Sequence, residues 1–118
     1  MTFLLVALGA AIGAPLRYLT DRYVQVRYGA GFPWGTLAVN VTGSLILGLV
    51  LGLPLSAGLT ALIGTGFCGA LTTYSTFSWE TLSFARRGER ATSFAYVLLS
   101  LLSGLGAATL GLTLAHTL

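Results

Sequence analysis

Four stretches of this 118-residue chain are each long and apolar enough to cross the hydrocarbon core of a bilayer, which takes roughly 20 mainly apolar residues in a helix. They run over about 2–23, 34–53, 57–84 and 92–114. Once four such runs are granted, the only spanning structure open to them is the α-helix, because each segment must satisfy its own backbone polar groups. The expected fold is therefore an all-α membrane protein: one domain over residues 1–118, a compact bundle of four transmembrane helices. Charge agrees, since charged residues make up 8% of the chain and soluble domains carry about 25%. A water-soluble monomer is excluded, and so is disorder, which needs low hydrophobicity and high charge.

The separators read as turns. Gly29 to Pro33 breaks the chain, Pro54 ends the second run, and Arg86 to Arg90 is polar. All six basic residues are arginines in two clusters, Arg17, Arg22 and Arg27, then Arg86, Arg87 and Arg90. With four spans, the loops after the first and third lie on one side, and the Pro54–Ser56 loop and both tails carry no Lys or Arg. The positive-inside rule places the arginine loops in the cytoplasm and both termini outside. The net charge of +3 is thus a topology signal, and no nucleic-acid partner is expected. The first run fits a secretory signal only loosely, since Met1 to Gly13 lacks a positive n-region.

Glycine occurs 16 times, often at helical spacing. Gly9 and Gly13 form a GxxxG; Ser44, Gly48 and Gly52 repeat small residues in the second run, and Ser100, Gly104 and Ala108 do so in the fourth. Such stripes let helices approach closely in lipid, so tight packing is the expectation for them.

Polar residues within the spans are expensive and mark candidate function. Thr36, Asn40 and Ser44 share one face of the second helix. Asn40 brings amide donors, though an interhelical hydrogen bond is an equal reading. The third run, from Gly64 to Ser78, is too polar and glycine-rich for a plain lipid-facing helix. A mid-membrane break near Gly69 to Thr73 is expected there, with carbonyls suited to a small cation. Beyond it, Tyr74 and Phe77 share a face, as do Thr73 and Phe77. Ring edges are positive and can meet an anion as well as a core neighbour. Tyr96, Ser100 and Ser103 extend a lane of donors along the fourth helix, the kind of lining that replaces an ion's water shell stepwise. Arg17 either raises local anion concentration by its field or pairs with Asp21 one turn on.

Enzyme chemistry finds no foothold. His116 is the single histidine and Cys68 the single cysteine; no metal-ligand cluster, phosphate-binding glycine loop followed by Lys, or paired carboxylate site is present.

Four motifs together resemble the CrcB, or Fluc, fluoride channels: Gly13-Ala-Pro-Leu-Arg-Tyr18; Gly35-Thr-Leu-Ala-Val-Asn40 with Gly43; Gly66-Phe-Cys-Gly-Ala-Leu-Thr-Thr-Tyr-Ser-Thr-Phe-Ser78 with Glu80; and Tyr96 with Ser100. The resemblance implies an antiparallel, dual-topology dimer in the inner (plasma) membrane, with two fluoride pores and a central structural sodium ion. On this likeness Asn40 is a pore asparagine, Gly69 and Thr72 offer sodium-binding carbonyls, and Phe77 lines the pore. Tyr96 and Ser100 belong to a polar track, and Arg17 sits near the pore mouth. Tyr74 departs from the pattern, standing where a first pore phenylalanine is usual, and Gly104 stands where a further serine often sits.

One-sided arginines oppose insertion in both orientations. The partner implied is therefore either a second copy or an oppositely oriented paralogous subunit. Rival functions are a small four-helix multidrug/proton antiporter, which needs a mid-membrane carboxylate, and a structural assembly subunit. Passive export needs no nucleotide cofactor.

Overall fold

The computed structural model describes residues 2–29 and 31–117, so Ala30 of the expected first turn lies outside the described residues, as do Met1 and Leu118. Every described element is helical, in the order α1 (Thr2–Tyr28), α2 (Trp34–Gly52), α3, α4 (Ser75–Arg86) and α5 (Arg90–Thr117). Helix α3 covers residues 57–71 as a turn of α-helix at Ala57–Leu59, a π-helical stretch Thr60–Cys68 and a last turn Gly69–Leu71. Helices α1, α2 and α5 are unbroken and apolar enough to span a membrane, and α3 with α4 makes a bent fourth passage.

The small-residue stripes decide how these helices pair. A Cβ on Gly9 would sit 2.6 Å from the Phe67 amide nitrogen, and one on Gly66 would sit 3.0 Å from Val6 Cα. Helices α1 and α3 therefore touch backbone to backbone and run in the same direction, since Leu5, Gly9 and Gly13 meet Gly58, Leu62 and Leu71 in turn. The stripes in α2 and α5 meet each other in the same way. Gly48 lies against Ala108 and Leu112, Gly52 against Ala115, and Gly104 beside Ser44. Side-chain bulk is absent where the backbones cross, so dispersion contacts replace the hydrophobic drive that lipid does not supply.

The chain ends sort by charge. The C-terminal end of α1 meets that of α4 around a cavity of about 180 Å³, whose walls include Gln25, Gly29, Ser83 and Arg87. Both arginine clusters thus flank one end of the bundle, where Tyr23, Tyr28 and Trp34 are exposed as interfacial anchors. At the opposite end Gly58 approaches Leu5, and Gly52 approaches Ala115. Gly29 and Gly88 close the turns at the arginine end with φ of 84° and 82°, which L side chains rarely adopt.

Candidate functional site

The break in the third passage lies at residues 72–74, between Leu71 and Ser75. The sequence placed it a little early. Gly69 is still helical, with φ −63° and ψ −36°, and its N–H donates to the carbonyls of Gly64 and Gly66. The helix ends because Thr72 turns extended, at φ −78° and ψ 160°. The Thr72 hydroxyl donates back to the Cys68 carbonyl at 2.8 Å, and the Thr72 N–H donates to the same oxygen at 3.0 Å, so this last turn closes on one doubly used acceptor.

Two other helices hold the broken segment. Asn40, on α2, accepts from the Thr73 N–H at 2.8 Å and donates from Nδ2 to the Thr73 carbonyl at 3.2 Å. Both polar backbone groups of Thr73 are satisfied by one side-chain amide, which resolves the problem an interrupted helix poses in lipid. Arg17, on α1, donates from Nη1 to the Thr72 carbonyl at 3.4 Å. It does so because Gly13, one turn earlier on the same face, packs α1 against Leu71 and Ala70 at the end of α3. Asp21, the alternative partner for Arg17, instead accepts from Gln25 at 3.3 Å. Beyond the break, Thr73 Oγ1 accepts from the Thr76 N–H at 3.2 Å and so caps the start of α4.

Beside this break runs an open groove of about 660 Å³. Asn40, Thr72, Thr73, Tyr74, Phe77 and Ser100 all line it, with Ser44, Gly69 and Gly104. Seven of the nine residues expected to serve a pore or a sodium ion therefore converge on one surface. Ser100 Oγ is buried with no hydrogen-bond partner among the described residues. The phenol of Tyr74 is 81% exposed, its ring 6.4 Å from that of Phe77.

Two expected residues lie elsewhere. Arg17 approaches the break from α1 and is not on the groove wall. Tyr96 is fully buried behind Phe77, ring centroids 5.1 Å apart, in a cluster with Phe32 and Phe84. Its hydroxyl donates to Glu80 Oε1 at 2.9 Å, so its proton is engaged within the chain. Sequence reasoning passed over this pairing; Thr36, which it placed on one face with Asn40 and Ser44, is 2% exposed and has its hydroxyl beside both groups instead of on the groove. The available signal was Glu80 itself, a carboxylate inside an apolar run. Gly35 completes this region by letting Asp21 press directly on the start of α2.

Residues 4–112 match a protein family described as "CrcB-like protein, Camphor Resistance (CrcB)". The chain belongs to the CrcB family. Among curated relatives, the fluoride-specific ion channel FluC 1 of Streptomyces avermitilis is 54% identical, with all of this chain and 98% of the relative aligned. The fluoride-specific ion channel FluC 1 of Frankia casuarinae is also 54% identical over 98% of this chain and 97% of its own. The fluoride-specific ion channel FluC of Thermus thermophilus is 43% identical over 98% and 94%. As a CrcB-family chain with several apolar helices, it is a multi-pass integral protein of the plasma membrane, and its relatives are channels rather than enzymes.

Proposed function

We propose that this CrcB-family chain forms a fluoride-selective channel that lets cytoplasmic fluoride leave passively and so relieves its toxicity. The names of relatives aligned over the full chain support this reading. The observation in the molecule that carries it is the convergence of an asparagine-clamped helix break, the unpartnered Ser100 hydroxyl and aromatic edges on one groove.

Fluoride holds its water tightly, so a pore must offer replacement donors at each step. The groove supplies Ser100 and Ser44 hydroxyls and the Asn40 amide hydrogen that does not reach Thr73. Phe77 and Tyr74 add positive ring edges, and the charge of Arg17 raises the local potential for an anion. Tyr96 backs Phe77 and fixes its ring plane. Transport runs down the electrochemical gradient, so the chain needs no energy-transducing group.

A groove with an exposed phenol at membrane depth calls for a covering subunit, and an antiparallel dimer with pores at its interface meets that need. The cover is a second copy or an oppositely oriented paralogous subunit; arginines confined to one end favour the paralogue, because they bias insertion to a single orientation.

Sodium is the one cofactor in this reading, and the break suits it. The Gly69 carbonyl receives no backbone N–H among the described residues, Gly69 is exposed, and a Cβ there would meet open space. Thr72 offers a second carbonyl, with a lone pair to spare beside its 3.4 Å contact to Arg17. Neutral carbonyl oxygens fit a hard monovalent cation, and those of Gly69 and Thr72 would be the groups of this chain that hold it.

Fluoride efflux from liposomes tests the function. A fluoride rate well above that of protein-free liposomes supports it. Drug-driven proton flux would point to the antiporter, and the absence of either flux to a structural subunit.

A further inference from the structure

Among the described residues, Arg17 has no counter-ion inside the bundle. It is half-buried, and the single ion pair among the described residues is Arg87 with Glu89. Its recorded hydrogen bond ends on the Thr72 carbonyl, the oxygen assigned above to sodium. A fixed positive charge and a mobile one therefore converge on the same acceptor.

We propose that Arg17 sets how tightly the helix break holds sodium, by competing through the shared Thr72 carbonyl. The proposal rests on the sodium reading given above.

Two effects oppose each other. The hydrogen bond orders the carbonyl, which would help the ion, while the guanidinium charge repels it. At 3.4 Å the bond lies beyond the usual N–H···O range, so its ordering effect is weak. Like charges facing one oxygen in a poorly screened interior interact strongly over several ångströms. Repulsion wins, and the arginine keeps sodium affinity below what the carbonyls alone would give. The placement is built in, because Gly13 packs α1 onto the end of α3 and so brings Arg17 to the break. One side chain then tunes both ions, attracting the anion and loosening the cation.

The test is thermal unfolding of the purified protein in detergent against sodium concentration, with N-methylglucamine holding ionic strength constant. Arg17→Gln and Arg17→Met should reach half-maximal stabilisation at a sodium concentration about tenfold or more below wild type, a shift expected from removing one nearby charge. Arg17→Lys keeps the charge and should stay close to wild type. A wild-type sodium response that R17Q and R17M share unchanged, or need more sodium to reach, overturns the proposal while sparing the sodium site. So does R17K behaving like the neutral variants. No sodium response in any of the four proteins overturns the sodium site itself, and this inference with it.

Discussion

Asn40 and Thr73 hold each other through both backbone groups of one residue: the Thr73 N–H donates to Asn40 Oδ1 at 2.8 Å, and Asn40 Nδ2 returns to the Thr73 carbonyl at 3.2 Å. The asparagine substitutes for the two helical hydrogen bonds that Thr73 forgoes. It also lines the groove, so the amide that supports the break stands at the groove wall.

Replacing Asn40 separates these roles. Asn40→Asp keeps an acceptor for the Thr73 N–H but turns a carboxylate toward the Thr73 carbonyl and toward any passing anion. Fluoride efflux should fall by about tenfold or more, with a loss of about 1–3 kcal/mol in unfolding free energy from the unsatisfied carbonyl. Efflux and thermal unfolding on one preparation check both. Unchanged flux would remove Asn40 from the conduction path.

Phe77→Ile removes a groove-facing ring whose other side packs on Tyr96. Assembly and expression should be nearly intact, at a stability cost of about 1 kcal/mol for the lost aromatic contact. Fluoride flux should drop sharply. An equal loss of assembly would make Phe77 a packing residue and discredit its pore role.

The sequence made the helices, the stripes and the groove residues legible for a physical reason. Span length, small-residue spacing and membrane-depth hydroxyls are local patterns, and Ser44 with Gly104 or Gly48 with Ala108 simply bring two patterns together. The site of the break was less legible. Glycine marks where a helix can break, yet Gly69 stays helical, and the chain turns at Thr72, where Asn40 and Arg17 supply the missing partners from other helices. The Tyr96–Glu80 bond was legible only as a carboxylate inside an apolar run, because its partner lies 16 residues away across a turn.

Tyr96→Phe tests that bond. It leaves Glu80 without its phenolic donor in a region where a stranded carboxylate is costly, so stability should fall by about 1–3 kcal/mol. Flux should decline less than in Phe77→Ile, because the ring that backs Phe77 remains. Side-by-side efflux and melting curves decide; a flux loss as deep as that of F77I with no change in stability would place the Tyr96 hydroxyl in the ion path.

Glycine contacts give a prediction about folding alone. Gly66→Ala forces a methyl against Val6 on α1 and should destabilise the bundle by about 1–3 kcal/mol, as overpacking does. Gly106→Ala meets open space and should be neutral or slightly stabilising through helix propensity. Yield and melting temperature in detergent distinguish them, and equal behaviour would contradict the close α1–α3 approach.

Conduction itself is tested most directly by measuring fluoride and chloride efflux from liposomes carrying the purified chain together with any subunit that co-purifies, wild type beside Phe77→Ile. The account predicts rapid fluoride release, far slower chloride release, and loss of the fluoride signal in the variant. Fluoride leaving no faster than chloride, or no faster than from protein-free liposomes, would contradict it.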